Sequence, residues 1–228
     1  MEYLVSDVIR DIRVVIDENM SSAALTTLAD VDTLALDDII KSKVEDAVMI
    51  VERDAPYTLL DGGKPIEGDI NWEGESGLCS GYIYLPEDFN RFVGLRMSDW
   101  DYTVTAAITD SDEQYAVQRS KFGVKGNPER PVVAIAARHN EDGNTLLALE
   151  FYTSHTDAEV VFARYLPMPS IYTEDNAKKI EICKNLYRAV IYYAAFLTAL
   201  SIGDGTLATS AKATCNEILG LTTQPEVS

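Results

Sequence analysis

Two kinds of grouping in this chain have residue types and spacings that could do chemistry. The first is paired carboxylates. Glu87 adjoins Asp88, and Asp110, Asp112 and Glu113 crowd one turn, a pattern that serves proton transfer or a hard cation. The chain holds 37 acidic residues among 228, so carboxylates adjoin by composition alone. His139 and His155 both fall in polar turns, with no second histidine or cysteine at ligand spacing. "DGGKP" at 61–65 has glycines and a lysine but lacks the spacing of a phosphate loop, and there is no GxSxG. Cys79, Cys183 and Cys215 are far apart and odd in number, as expected of reduced, buried thiols made in a cytoplasm. The expectation is a protein with no catalytic residues, no metal and no cofactor, and not an enzyme.

The second grouping is basic. "QRSKFGVKGNPERP", Gln118 to Pro131, carries Arg119, Lys121, Lys125 and Arg130 against the single acid Glu129. Gly123, Gly126 and Pro128 mark it as an exposed loop. It reads either as a solvated loop or as a contact with the acidic surface of a neighbouring copy; the second is favoured over nucleic acid by the charge around it. The net charge is −18. Residues 1–60 hold 5 basic and 13 acidic side chains, residues 61–77 hold 1 and 5, residues 78–169 hold 8 and 13, and residues 170–228 hold 5 and 6. Such a balance disfavours a protein that grips DNA through its phosphates, and permits a surface that DNA slides past.

These groups hang on elements that periodicity locates. Leu4 to Ile16 has apolar residues at 4, 5, 8, 9, 12, 15 and 16, a helical stripe. Asn19 to Leu36 reads as a connector, and Asp37 to Asp54 as a second helix ended by Pro56. "LDGGKPIEGDINWEGESG" is glycine-rich and acidic, a surface loop over 61–77. The period then changes to two: "SGYIYLP", "FVGLRM", "TVTAAI", "PVVAIAAR", "NTLLALEFY" and "AEVVFARYLP" read as an antiparallel β domain over 78–169, with Asp142-Gly143 as a hairpin turn and a short helix over 111–120. Glu174 to Ile202 and Thr206 to Leu219 read as helices broken by "GDG" at 203–205, with Gly220 closing the second. The expected fold is α+β: a helical bundle of two N-terminal and two C-terminal helices, 1–60 and 170–220, with an antiparallel β domain inserted and a loose tail over 221–228.

The most apolar stretch, Ala189 to Ile202, has no charge over fourteen residues. As a helix it spans about 21 Å, short of the roughly 30 Å of a bilayer's hydrocarbon core, so no membrane anchor is expected. The N-terminal "MEYLVSDVIRDIRVV" lacks the continuous apolar run of a secretory leader. Ala189, Tyr192, Tyr193, Phe196 and Leu200 follow helical spacing and are expected to face the bundle core. Ala194, Ala195, Thr198, Ala199 and Ile202 widen the apolar belt, and of these Ala195, Thr198, Ala199 and Ile202 are candidates for a subunit contact.

Two stretches carry a family resemblance. "YIYLPEDFNRFVGLRMSDW", Tyr82 to Trp100, followed by "GNPERPVVAI", Gly126 to Ile135, resembles the β domain of tailed-phage head–tail connector (adaptor) proteins. "KNLYRAVIYYAAFLTALSIGDGTLATSAKATCNEIL" is similar to the closing helix pair of the same adaptors, podovirus-like and including the crAss-like group. The resemblance implies a virion protein at the head–tail junction, made in the host bacterial cytoplasm. It further implies a twelve-fold ring under the portal protein, extending the DNA channel without specific DNA binding and docking tail or further ring proteins. The C-terminal tail would lie along the portal. The competing reading is a monomeric module binding a carbohydrate or peptide on Tyr82, Tyr84, Trp100 and Tyr102.

Overall fold

A computed structural model of the chain describes residues 1–19, 36–74, 78–120, 123, 125–140 and 142–221. The fold is mixed α+β with antiparallel sheets, and it divides into two compact units: Met1–Gly62 with Met168–Ser228, and Gly63–Pro167.

The first unit starts with β1 (Glu2–Leu4) and α1 (Val5–Asn19), continues through α2 (Leu36–Asp54), and is completed by the C-terminal part of the chain. Val8, Ile12, Val15 and Ile16 bury one stripe of α1, and Ile40, Val44, Ala47, Val48 and Val51 bury one stripe of α2. Each stripe follows the three-and-four spacing seen in the sequence. Each fully buried isoleucine or valine contributes about 1.5–3 kcal/mol. α4 (Tyr187–Ile202) packs against α1, α2 and α5 (Gly205–Ile218). Gly203 ends α4 in the left-handed conformation at φ 81°, and Asp204 opens α5 by accepting the Leu207 N–H at 3.0 Å.

Residues 174–181, expected at the start of a long helix, form strands instead. β10 (Tyr172–Glu174) turns at Asp175 and Asn176, both at positive φ (50° and 61°), into β11 (Ala177–Glu181). Such a pair of left-handed residues is the tight hairpin turn that matches strand twist, here built without glycine. β1 then adds to the far edge of β11, with Tyr3 opposite Ile180, and the N-terminal ammonium donates to the Ile182 carbonyl at 3.1 Å. Helix is lost here because the first strand of the chain needs a partner, and β11 supplies it.

The second unit holds two sheets. One has the order β2-β9-β5 and the other β3-β4-β8-β7-β6, where β2 is Lys64–Pro65, β3 Asn71–Glu73, β4 Leu78–Tyr84, β5 Phe89–Met97, β6 Ile108–Thr109, β7 Val132–His139, β8 Thr145–His155 and β9 Val160–Pro167. All pairs are antiparallel except β6 with β7. Both sheets contribute to one core: Phe92, Leu95, Met97 and Tyr165 from the first meet Ile83, Leu149 and Phe151 from the second, with Trp100 edge-on to Phe151 at 6.3 Å. Gly81 lets Phe151 cross β4, since a Cβ there would lie 2.6 Å from the ring. The stretch 61–77, expected as a loop, therefore carries two short edge strands. Pro65 fits there because an edge strand needs no N–H on its open side. Of "TVTAAI", only Val104 (bridged to Leu95) and the short β6 pair with neighbours. α3 (Glu113–Arg119) lies where a short helix was expected. The connector over 20–35 and the tail beyond Leu221 lie outside the described residues.

Candidate interaction surfaces

The basic loop does not present four free cations. Arg119, the last residue of α3, has its guanidinium 3.8 Å from the Glu73 carboxylate and 3.6 Å from that of Glu150. Glu150 lies on β8 and is 1% exposed. Arg138, on the neighbouring strand β7, ties the two acids together: its Nε donates to Glu150, and its terminal nitrogens donate to Glu73 at 2.6 and 3.0 Å. The Tyr152 hydroxyl also donates to Glu150, and the Arg138 guanidinium lies 4.0 Å from the Tyr82 ring centroid. A buried carboxylate held by two cations and a phenol is satisfied chemistry, and removing a partner is what becomes costly. The bonds from Arg138 hold the Glu73 carboxyl below its usual value. Burial works against the charge of Arg138, but the hydrogen bonds of Glu73 and Glu150 outweigh it and raise its pKa. Burial, then the bond to Glu150, pushes the Tyr152 phenol up.

Gln118 anchors the base of the loop by accepting the Gly126 N–H at 2.9 Å, and Arg130 closes a turn with Asn127. Lys125 is exposed and so is Arg130, while Lys121 lies outside the described residues. Arg119 is thus a structural cation of the sheet's outer face, a role that no local signal announces, because Glu73 and Glu150 are far away in sequence.

Two of the five carboxylates singled out for chemistry, Asp88 and Asp112, have structural work. Asp88 accepts from Lys64 at 3.1 Å and from the Tyr165 hydroxyl at 2.8 Å. Asp112 accepts from the Thr109 N–H and hydroxyl, at 2.6 and 2.9 Å, closing the turn before α3. His139 bonds Thr145 across the β7–β8 hairpin, and the His155 N–H donates to Asp99. Among the described residues no group of three or more His, Cys, Asp or Glu side chains could hold a metal ion. All three cysteines are buried and unbridged. Burial pushes the Cys215 thiol up to about 11 and, with Glu52 beside it, that of Cys183 to about 12; neither is a thiolate at neutral pH. The aromatic set Tyr82, Tyr84, Trp100 and Tyr102 does not converge on one face. Tyr82 and Tyr84 meet edge-on, Trp100 is in the core, and Tyr102 is 49% exposed.

On α4 Ala189 is buried as expected, but beyond it the two expected faces are exchanged. Ala195, Thr198 and Ala199, expected at a subunit contact, are fully buried within this chain's first unit, and the Thr198 hydroxyl bonds back to the Ala194 carbonyl at 2.8 Å. Tyr192, Tyr193 and Phe196, expected in the core, are only half-buried, and Leu200 is 55% exposed. The buried face runs through Ala194, Ala195, Thr198 and Ala199, whose small side chains let the flanking helices come close, and it takes in Val190 and Ile191 as well. Ile202 alone of the four candidates stays partly accessible. The apolar surface left open is a groove between α4 and α5, lined by Phe196, Leu200, Ala208, Lys212, Asn216 and Leu221. The exposed Lys212 lines it with its ammonium 5.1 Å from the Phe196 ring centroid. Among the described residues no helix is long and apolar enough to cross a membrane. No family model matches the chain, and no curated protein matches it either.

Proposed function

We propose that this chain is a structural, non-catalytic subunit of the head–tail connector of a tailed phage. In this reading α1, α2, α4 and α5 form a helical bundle into which the β unit is inserted. Copies of it form a ring, twelve-fold by resemblance, beneath the portal protein, extending the DNA channel and docking the tail. The observation that carries the reading is the return of both ends of the chain to one helical unit. β1 pairs with β11, α4 packs on both N-terminal helices, and the whole β unit is spliced in between. That is the element order of the adaptors that the two sequence stretches resemble.

Charge and surface support it. The acidic excess of residues 1–60 suits a wall past which DNA moves without adhering. The α4–α5 groove, with Leu200 and Leu221 exposed on its rim, is an apolar surface of the kind that assembly covers. The protein would act at the head–tail junction after synthesis in the bacterial cytoplasm, with no membrane partner. Mass photometry and negative-stain imaging test this on the purified chain, alone and with the cognate portal protein. Rings, or a ring seated on portal, are expected. A chain that stays monomeric and never joins portal overturns the reading.

A further inference from the structure

In a chain with 37 acidic and 19 basic side chains, two ammonium groups held together without a carboxylate need a reason. Lys41 on α2 and Lys178 on β11 line one pocket of about 310 Å³ within the first unit. The two side chains come within hydrogen-bonding reach, and that contact, with the repulsion between like charges, lowers the pKa of Lys178. Among the described residues neither lysine reaches a carboxylate within 4 Å. Acids are at hand, but they are turned to other partners. On α2, one turn to either side of Lys41, Asp37 pairs with Arg13 and Glu45 accepts the Ile171 N–H. Glu2 and Glu174 both hold Lys179, which alternates with Lys178 along β11. Asp7 pairs with Arg10 at 3.0 Å.

A third element adds to the same field. α1 begins at Val5, and Ser6 in its first turn lines the pocket. The Ser6 N–H has no partner within the helix, and the positive end of the helix dipole lies there. Leu4, Ile9 and Ala177 supply an apolar wall. The volume falls at the lower end of small-molecule sites, about 300–1,000 Å³, and is more than a bare inorganic ion fills.

We infer that this pocket binds a small organic phosphate, its phosphate between the Lys41 and Lys178 ammonium groups and its apolar body against Leu4, Ile9 and Ala177. Lysine binds phosphate as a point charge, and a helix N-terminus offers N–H donors to the same oxygens. A doubly charged head offsets the repulsion of both lysines at once, which a single carboxylate does only in part. The site belongs to one copy of the chain, so it stands whether or not copies form a ring.

Hexyl phosphate is the probe, titrated into the full chain at low salt and about pH 7.5, where its head is doubly charged. Saturable NMR shifts of backbone amides, centred on Ser6, Lys41 and Ala177, are expected. Inorganic phosphate, which lacks the apolar body, and hexanoate, which lacks the second charge, are expected to bind at least about tenfold more weakly. Hexanol is expected not to bind. Lys178→Met, at an exposed position, is expected to weaken hexyl phosphate at least about tenfold, and Lys178→Arg much less. Lys41→Met is expected to match Lys178→Met, with circular dichroism checking that each variant folds. Absent shifts, hexanol binding as well as hexyl phosphate, or an affinity unchanged in both methionine variants overturns the site. Hexanoate binding as tightly as hexyl phosphate overturns the phosphate head, and inorganic phosphate doing so overturns the apolar body.

Discussion

Arg138 governs the outer face of the five-stranded sheet. It reaches Glu150, Glu73 and the Tyr82 ring at once, and no other cation there is as well buried. Arg138→Met is expected to cost about 3 kcal/mol at neutral pH in urea unfolding, because Glu150 is left buried without its main partner. The gap to wild type should narrow as the solution is acidified. Glu73 has a carboxyl held down by Arg138, so its contribution is present above the unfolded-state value and is lost as pH falls through the lower folded-state one. A deficit that stays constant from pH 7 to pH 3 would contradict this account. The sequence shows Glu150 as the polar position of an alternating strand, which ordinarily means exposure. It is buried because α3 carries Tyr115 and Arg119 over it, a long-range arrangement that no window of neighbouring residues contains.

Elements with one dominant period were legible: α1, α2 and α5 fall within three residues of their expected spans, and so do the runs that became β4, β5, β7, β8 and β9. The break between the last two helices is legible in detail, because Gly203 and Asp204 are a C-cap and an N-cap side by side. Asp204→Ala is expected to cost about 1 kcal/mol, read as a lower urea midpoint with unchanged slope. No loss would mean that the bond to the Leu207 N–H contributes nothing. Where two signals compete, reading by period fails. Glu174 to Glu181 has helix-forming glutamate, alanine and lysine but a hairpin turn at Asp175-Asn176, and pairing with β1 decides for strand. On α4 almost every position is apolar, so the sequence could not say which face is inside. Packing on three sides buried Val190 and Ile191 along with the small residues and left Leu200 out.

At the scale of the whole molecule, the β unit enters and leaves through neighbouring strands. Lys64 on β2 lies opposite Tyr165 on β9, and Pro65 opposite Arg164, so the two ends of residues 63–167 are a strand spacing apart. Gly63 makes this closure possible, since a Cβ there would lie 2.7 Å from the Tyr165 carbonyl oxygen. With its own two-sheet core and its ends paired, the segment 63–167 expressed alone is expected to unfold in one cooperative step with a β-type far-UV spectrum. A segment without a cooperative transition would show that it depends on the rest of the chain.

The paired ends also bear on the order in which the chain acquires structure. Joining α2 to α4 while residues 63–167 are still a random coil means closing a loop whose entropy costs roughly 4 kcal/mol. Once β2 and β9 are zipped together, the β unit's own sheet pairs have already closed that loop, and only the short segments that flank the unit remain to be closed when α4 meets α1 and α2. The β2–β9 clasp thus places the cost of closing the long loop on the β unit, whose own core offsets it, and leaves the helical unit only short connections to close.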